Sequence, residues 1–343
     1  MKRAIYPVTI IAILIFIYFF INSNTGKATT SLVRIFEPAS TMKLVKDVNF
    51  KGDIYKIIAA KDSLAIIASP NAVFICDSTF SGYRQVKDLK NEGPLYHFSA
   101  NRDSVFYFDV EGSQFTVKAP GFFSRYKTSA GLNAGQAFYH HGAFIYSLYS
   151  KMTDSISIYR YDPVNRQNTL LVQVNTLLKD KITQGPCTGS ALEGNFLSID
   201  ENKWCYLLFM GGYFIIYDNG HISLHQTVDK RPFKKFQERQ VKMGTQTVFM
   251  CKGDNDYFYN YQAASDGRFL YILSGIIQQK SSEPLSTPVD VYDLSNFRYI
   301  STLKLPLLSP QDYAYQLAVL RDYFYVYSAK SGLKIYRKQN LDQ

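Results

Sequence analysis

Short apolar and aromatic runs, each bounded by turn-forming residues, recur along almost the whole chain. Six stand out, at 63–69, 104–109, 143–149, 204–209, 269–274 and 323–328. All are β-branched or aromatic and flanked by Gly, Asp, Asn or Ser, the pattern of buried strands rather than helices. Their starts are 41, 39, 61, 65 and 54 residues apart. The smallest spacings match a four-stranded propeller blade of about 40–45 residues.

A second signal follows the first in register. The next strand of most units ends in an aromatic or apolar residue and then Asp: Cys76-Asp77, Tyr161-Asp162, Tyr217-Asp218 and Tyr292-Asp293. Asp bonds its own backbone in turns, so it fits the start of a hairpin connection. The second unit lacks the Asp, and the sixth has Tyr336-Arg337. Another strand precedes each central run and a fourth often follows. Four strands in each of six units predict an all-β, six-bladed propeller. The last unit ends at its third strand, and the strand at 42–50 has no unit of its own. It is therefore expected to complete the last blade and close the ring. A pair of β-sandwiches and a seven-unit ring are the alternatives.

The N-terminus differs. Lys2 and Arg3 precede 18 residues, Ala4 to Ile21, with no charge. About 17–25 apolar residues span a bilayer, and cations ahead of the run favour a cytoplasmic N-terminus. The sequence thus divides into an anchor (1–24), a polar linker (25–41) and a propeller (42–343). A cleaved secretory signal is the competing reading, with a weak site at Gly26-Lys27-Ala28. Either places the body of the protein outside the cytoplasm, in the periplasm if the anchor sits in an inner membrane.

Composition sharpens this picture. Hydrophobic residues make up 46% of the 343, and Tyr (27) and Phe (25) supply nearly all the aromatics. That much apolar surface excludes an intrinsically disordered chain. The net charge of +10 suggests an anionic partner, but six cations cluster in one loop: Lys230, Arg231, Lys234, Lys235, Arg239 and Lys242. So local an excess argues against nucleic acid and leaves a solvated loop or a contact with an acidic partner or anionic surface.

The string Asp266-Gly-Arg-Phe-Leu-Tyr-Ile-Leu-Ser-Gly275, with Val289-Asp-Val-Tyr-Asp-Leu294 and Tyr299-Ile-Ser-Thr-Leu-Lys-Leu-Pro306, resembles a blade of the TolB-like six-bladed propellers of bacterial envelopes. The resemblance is most specific over 254–306. It implies a periplasmic propeller on an N-terminal anchor, and it carries over no catalytic residue.

Motifs for chemistry are sparse. There is no C-x-x-C, P-loop, G-x-S-x-G or G-x-G-x-x-G, so zinc-ribbon, nucleotide and nucleophilic-hydrolase readings lack support. Cys76 and Cys205 lie in apolar strands as buried thiols, whereas Cys187 and Cys251 lie in loops and pair if those loops meet. His221 and His225 share a strand face but lack a third ligand, and Asp254-Asn-Asp256 is an incomplete calcium loop. No metal or cofactor is expected. The candidate binding site is the mouth of the central channel, with His97, His140, Glu193, Asn195 and Tyr261 as its polar residues. These expectations favour a non-catalytic module binding an envelope protein or glycan. The alternative is a channel-site enzyme, a metal-dependent hydrolase or a lyase.

Overall fold

The computed structural model describes residues 34–38, 41–50, 53–60, 63–68, 72–81, 83–88, 95–100, 105–109, 114–119, 122–127, 134–182, 185, 187–233, 235–243, 246–253, 258–275, 286–306, 312, 314–328 and 330–339. The proposed anchor, Lys234 and Asp254-Asn-Asp256 lie outside them. Among the described residues no helix is long and apolar enough to cross a membrane.

The chain is an all-β propeller. It opens with β1 (Met42–Val48) and then winds five blades of four consecutive antiparallel strands. The first holds β2 (Ile54–Ala60), β3 (Ser63–Ala68), β4 (Ala72–Asp77) and β5 (Tyr83–Asp88). The second holds β6 (Leu95–Ala100), β7 (Val105–Asp109), β8 (Gln114–Ala119) and β9 (Phe122–Lys127). The third holds β10 (Ala134–His140), β11 (Ala143–Ser150), β12 (Ser155–Asp162) and β13 (Gln167–Gln173), and the fourth β14 (Gly194–Ser198), β15 (Lys203–Leu208), β16 (Tyr213–Asp218) and β17 (His221–Gln226). A two-stranded ribbon, β18 (Phe236–Met243) and β19 (Gln246–Gly253), precedes the fifth blade of β20 (Asn260–Ser265), β21 (Phe269–Ser274), β22 (Ser286–Asp293) and β23 (Tyr299–Pro306). The chain ends in β24 (Ala314–Leu320), β25 (Tyr323–Ser328) and β26 (Gly332–Lys338).

Where the sequence pattern reads six like units, five are single stretches of chain and one four-stranded sheet is composite. In that sheet β1 pairs antiparallel with β26, from Met42 opposite Lys338 to Val48 opposite Leu333. The innermost strands β2, β6, β10, β14, β20 and β24 each touch the next, and β24 returns to β2.

The core lies between the sheets. Across blades Phe138 stacks on Phe196 at 5.0 Å and Tyr271 meets Phe324 edge-on at 4.9 Å, while within the fourth blade Trp204 stacks on Tyr217 at 5.1 Å. Trp204, Tyr206 and Tyr325 are wholly buried. The Tyr and Phe surplus therefore serves blade-to-blade packing, where each ring buries a large apolar area. Three of the four hairpin Asp residues act as the sequence suggests. Asp77 accepts from the Thr79 N–H, Asp162 from those of Val164 and Asn165, and Asp293 from that of Ser295. At Asp77 the Ser81 hydroxyl also donates, and its bond leads those of Ser81 N–H and Thr79 in pulling the carboxyl down to about 2. Asp218 instead pairs with Lys203 at 3.0 Å.

Two expectations about irregular segments are corrected. The basic loop is in part a hairpin, because Phe236–Met243 pairs residue for residue with β19. A disulfide from Cys187 to Cys251 ties that hairpin to the short helical turn Thr188–Ala191 beside the fourth blade. The ribbon's strand carries no apolar alternation, so its pairing depends on a distant partner that local pattern does not reveal.

The end of the expected linker is also structured. Phe36 forms a parallel bridge with Thr302 on β23, with Thr302 N–H donating to the Ile35 carbonyl at 2.7 Å and Glu37 N–H to the Thr302 carbonyl at 2.9 Å. Arg34, 4% exposed, inserts its guanidinium between two blades' worth of acceptors. It donates to both carboxylate oxygens of Asp290 (2.9 and 3.1 Å), to Ser274 Oγ at 2.9 Å, and to Asp229. Thr302 Oγ1 donates to the same Asp290 at 2.6 Å, and Tyr299 hydroxyl lies 2.7 Å from that Thr302 oxygen. The fork geometry of Arg is what permits one cation to serve two carboxylates in a site almost free of water.

Removing one member of a buried ion cluster strands the remaining charge, at about 3–5 kcal/mol. Asp290→Ala is accordingly expected to lower unfolding stability by about that amount in urea titration. Asp218→Ala, which breaks a surface pair, is expected to cost less than about 1 kcal/mol.

Candidate functional site

Five of the six innermost strands begin with the same irregularity. The pairing with the neighbouring strand skips one residue between Ile54 and Lys56, Leu95 and His97, Ala134 and Gln136, Asn260 and Gln262, and Ala314 and Gln316. The skipped residue is Tyr55, Tyr96, Gly135, Tyr261 or Tyr315. A bulge of this kind places one extra residue and re-aims those after it. The fourth blade has no bulge. There Gly194 holds the place, and a Cβ on it would lie 2.4 Å from the Leu207 carbonyl oxygen.

The residue after each bulge, or after Gly194, is polar in all six strands: Lys56, His97, Gln136, Asn195, Gln262 and Gln316. Each pairs with the corresponding residue of the next strand out: Ile67, Phe108, Ser147, Leu207, Leu273 and Tyr327. They form one level of the ring. At the junction of the fourth and fifth blades Asn195 Nδ2 donates to Gln262 Oε1 at 2.6 Å. The sequence carries this belt as a Tyr-or-Gly residue followed by a polar one at the head of every unit. Hydrophobic periodicity does not detect it, because the bulge breaks the alternation at that point.

Of the residues expected at the channel mouth, His97 and Asn195 belong to the belt, His97 by its backbone position. The others separate from them. Tyr261 is a bulge residue, its ring edge-on to Phe258 at 5.6 Å. A Cβ at Gly275 would lie 1.9 Å from the Phe258 carbonyl oxygen, so glycine keeps this corner closed. Glu193 lies outside β14 and is exposed, though crowding by protein raises its carboxyl above the ordinary range.

His140 ends β10, four residues past the belt position, roughly 13 Å along a strand. Its Nδ1 lies 3.0 Å from Ser198 Oγ, and its Nε2 is buried without a partner. Burial, then the neighbouring His141, pushes its pKa down to about 4.

The belt opens on a cavity of about 90 Å3 along the ring axis. Lys56 and Gln262 border one end, Ser198 and Ser265 the other, and Phe138, Phe196 and Leu317 form apolar wall. Lys56 is half-buried, and its ammonium sits deep enough that desolvation alone lowers its pKa from 10.5 to about 8. No described group forms a hydrogen bond or ion pair with it. Asn195 Oδ1 and Gln316 Oε1 are likewise buried and unpartnered. Among the described residues no group of three His, Cys, Asp or Glu could hold a metal. His225 packs on Phe214 at 5.3 Å and on Phe297 at 4.6 Å, and burial lowers its pKa. His221 is exposed. Cys76 and Cys205 are buried thiols, and burial pushes Cys76 up to about 12.

The cations expected to act together lie at the base and on one strand of the ribbon. Lys230, Arg231, Lys235, Arg239 and Lys242 are exposed, and the Arg231 guanidinium lies 5.6 Å from the Tyr259 ring centroid.

The His140 shift has a defined sign. The unfolded imidazole titrates near 6.5 and the folded one near 4, so the unfolded chain binds more protons between those values. Stability is complete above about pH 6.5 and declines toward pH 4, by about 3 kcal/mol in all. His140→Phe is expected to flatten that segment of a stability-against-pH profile measured by chemical denaturation.

No protein-family model matches the chain, and no curated protein matches it. Solved structures do, at low identity. A protein of unknown function from Bacteroides thetaiotaomicron shares 12% identity over 89% of this chain and 74% of its own, with a TM-score of 0.50. A catalytically inactive virginiamycin B lyase from Staphylococcus aureus, solved with quinupristin, shares 7% over 86% and 98%, at 0.48. YCF48 from Cyanidioschyzon merolae shares 11% over 88% and 100%, at 0.47. At such identities the likeness extends to the propeller fold.

Proposed function

We propose that the protein is a membrane-anchored, extracytoplasmic propeller that acts as a non-catalytic binding module, with its basic ribbon as the contact surface. The composite sheet counts as the sixth blade in this reading, which keeps the six-bladed, TolB-like architecture. The observation that carries it is the placement of the ribbon. Arg34, where the described chain begins, bonds Asp229, the residue that leads into the ribbon's cations. An anchor ending near residue 24 leaves about nine residues before Arg34, a reach of about 30 Å when extended. The exposed cations are thus held near the membrane, facing whatever acidic protein or glycan shares that space. The disulfide from Cys187 to Cys251 supports an oxidising compartment, since such bonds persist outside the cytoplasm.

The channel-enzyme reading draws on Glu193, His97 and His140, which the fold distributes over different levels of the ring. The described polar side chains at the tunnel belt are amides and one lysine, groups suited to binding rather than proton transfer among acids.

The test is site-specific photo-crosslinking in intact cells, with the probe at Arg239 on the ribbon and at Val164 on a hairpin of the third blade. The expected result is a discrete adduct with an envelope component from Arg239 alone, lost when Lys235 and Lys242 are changed to Glu. Adducts only with the protein itself, or equal adducts from both positions, would overturn the proposal. Adducts only with lipid would replace an acidic macromolecule by the anionic bilayer.

A further inference from the structure

We infer that the tunnel belt is a binding site for a small aliphatic monocarboxylate, with Lys56 as the cation that receives its head group. The inference is independent of the ribbon. It begins with an imbalance at the centre of the ring. Among the described residues the buried cations are Arg34 and Lys334, and carboxylates answer both: Asp290 and Asp229 for Arg34, Asp47 for Lys334. Lys56 is half-buried at the edge of the cavity, and no described carboxylate pairs with it. An ammonium removed from water without an anion is costly, so such a group either sheds its proton or takes a counter-charge. A carboxylate at the belt supplies one.

The surroundings suit that head group and limit its size. In the ring order Lys56 stands between Gln316 and His97, with Gln262 and then Asn195 beyond Gln316. Lys56 and Gln262 border the same cavity. Gln316 and Asn195, beside them in the belt, each hold a buried amide oxygen with no partner; Asn195 Nδ2 is engaged by Gln262, whereas rotation of the Gln316 amide turns its nitrogen outward as a donor. The belt thus offers one charge among neutral amides, which matches one carboxylate better than a multiply charged anion such as phosphate. Past the belt the wall is Phe138, Phe196 and Leu317, a surface for a short hydrocarbon chain. A volume of about 90 Å3 accommodates an acid of a few carbons and is small for a whole sugar or peptide.

The lowered pKa of Lys56 adds a pH signature. The free ammonium loses its proton near pH 8, so affinity for an anion is full below that value. It falls by about tenfold for each further pH unit, because binding then requires protonation of the amine.

The test is calorimetric titration of the full chain in detergent micelles with sodium propionate at pH 7 and pH 9.5. Wild type is expected to bind one propionate per chain at pH 7, about tenfold or more weaker at pH 9.5. Lys56→Met is expected to lose the binding and, having shed an unpaired charge, to melt higher than wild type. Gln316→Leu is expected to weaken binding with Lys56 intact, and Lys56→Gln serves as the charge-free variant if the Met variant does not fold. Binding by either charge-free variant as tight as wild type, equal binding of inorganic phosphate, absence of saturable heat, or affinity unchanged at pH 9.5 would each overturn the inference.

Discussion

The pairing of β1 with β26 is the constraint on which the rest of the molecule depends. A propeller sheet has little stability alone, and a ring left open exposes a strand edge and one face of an end blade to water. Joining residues 42–48 to residues 333–338 in one ladder makes the first and last described strands neighbours. The interblade cores around Tyr271 and Phe324, and around Ile66 and Tyr325, are then completed on both sides. The same closure fixes the six inner strands at a common level, and only then do Lys56 and Gln316, far apart in sequence, become adjacent members of a belt.

Much of this architecture was legible before any coordinates. The central strands at 63–68, 143–150, 203–208, 269–274 and 323–328 announce themselves, because a strand buried on both faces must be apolar at every position. Asp77, Asp162 and Asp293 announce the hairpins for an equally local reason. What stayed hidden depends on pairing across long separations. The ribbon strand 236–243 is polar throughout, and its partner strand and the Cys187–Cys251 bond hold it. The Arg34 cluster joins residues 195 and 256 positions apart through side chains that sequence pattern reads as linker, loop and strand. The inner belt is legible only in part. The pattern marks the innermost strands but not the level of each residue along the axis, because the bulges at Tyr55, Tyr261 and Tyr315 shift the register by one. His97 and His140 look equivalent in sequence and lie at different heights in the ring.

The fold holds Arg34 and Lys56 under opposite conditions. Arg34 is enclosed with a complete set of acceptors, and burial raises the Asp229 carboxyl even with the guanidinium beside it. That cluster is consistent with a structural joint, because each charge is answered and its geometry is bidentate. Lys56 is enclosed among amides and aliphatic groups. The contrast separates a part of the molecule that is finished from one that has capacity left over, and it does so without recourse to any catalytic motif.

The position of Arg34 in the chain has a mechanical consequence. It precedes β1, and with Phe36 it fastens residues 34–38 along the edge of β23 before the chain reaches the closing strand. Tension applied from the N-terminal side therefore loads the clamp first. Three contacts share that load: a parallel bridge, the Asp290 fork and the Asp229 pair. Strand β1, whose removal would unlatch the ring, stands behind them in series. The ring is thereby isolated from pulling and bending of the segment that leads to it, as a cable is by strain relief at its socket.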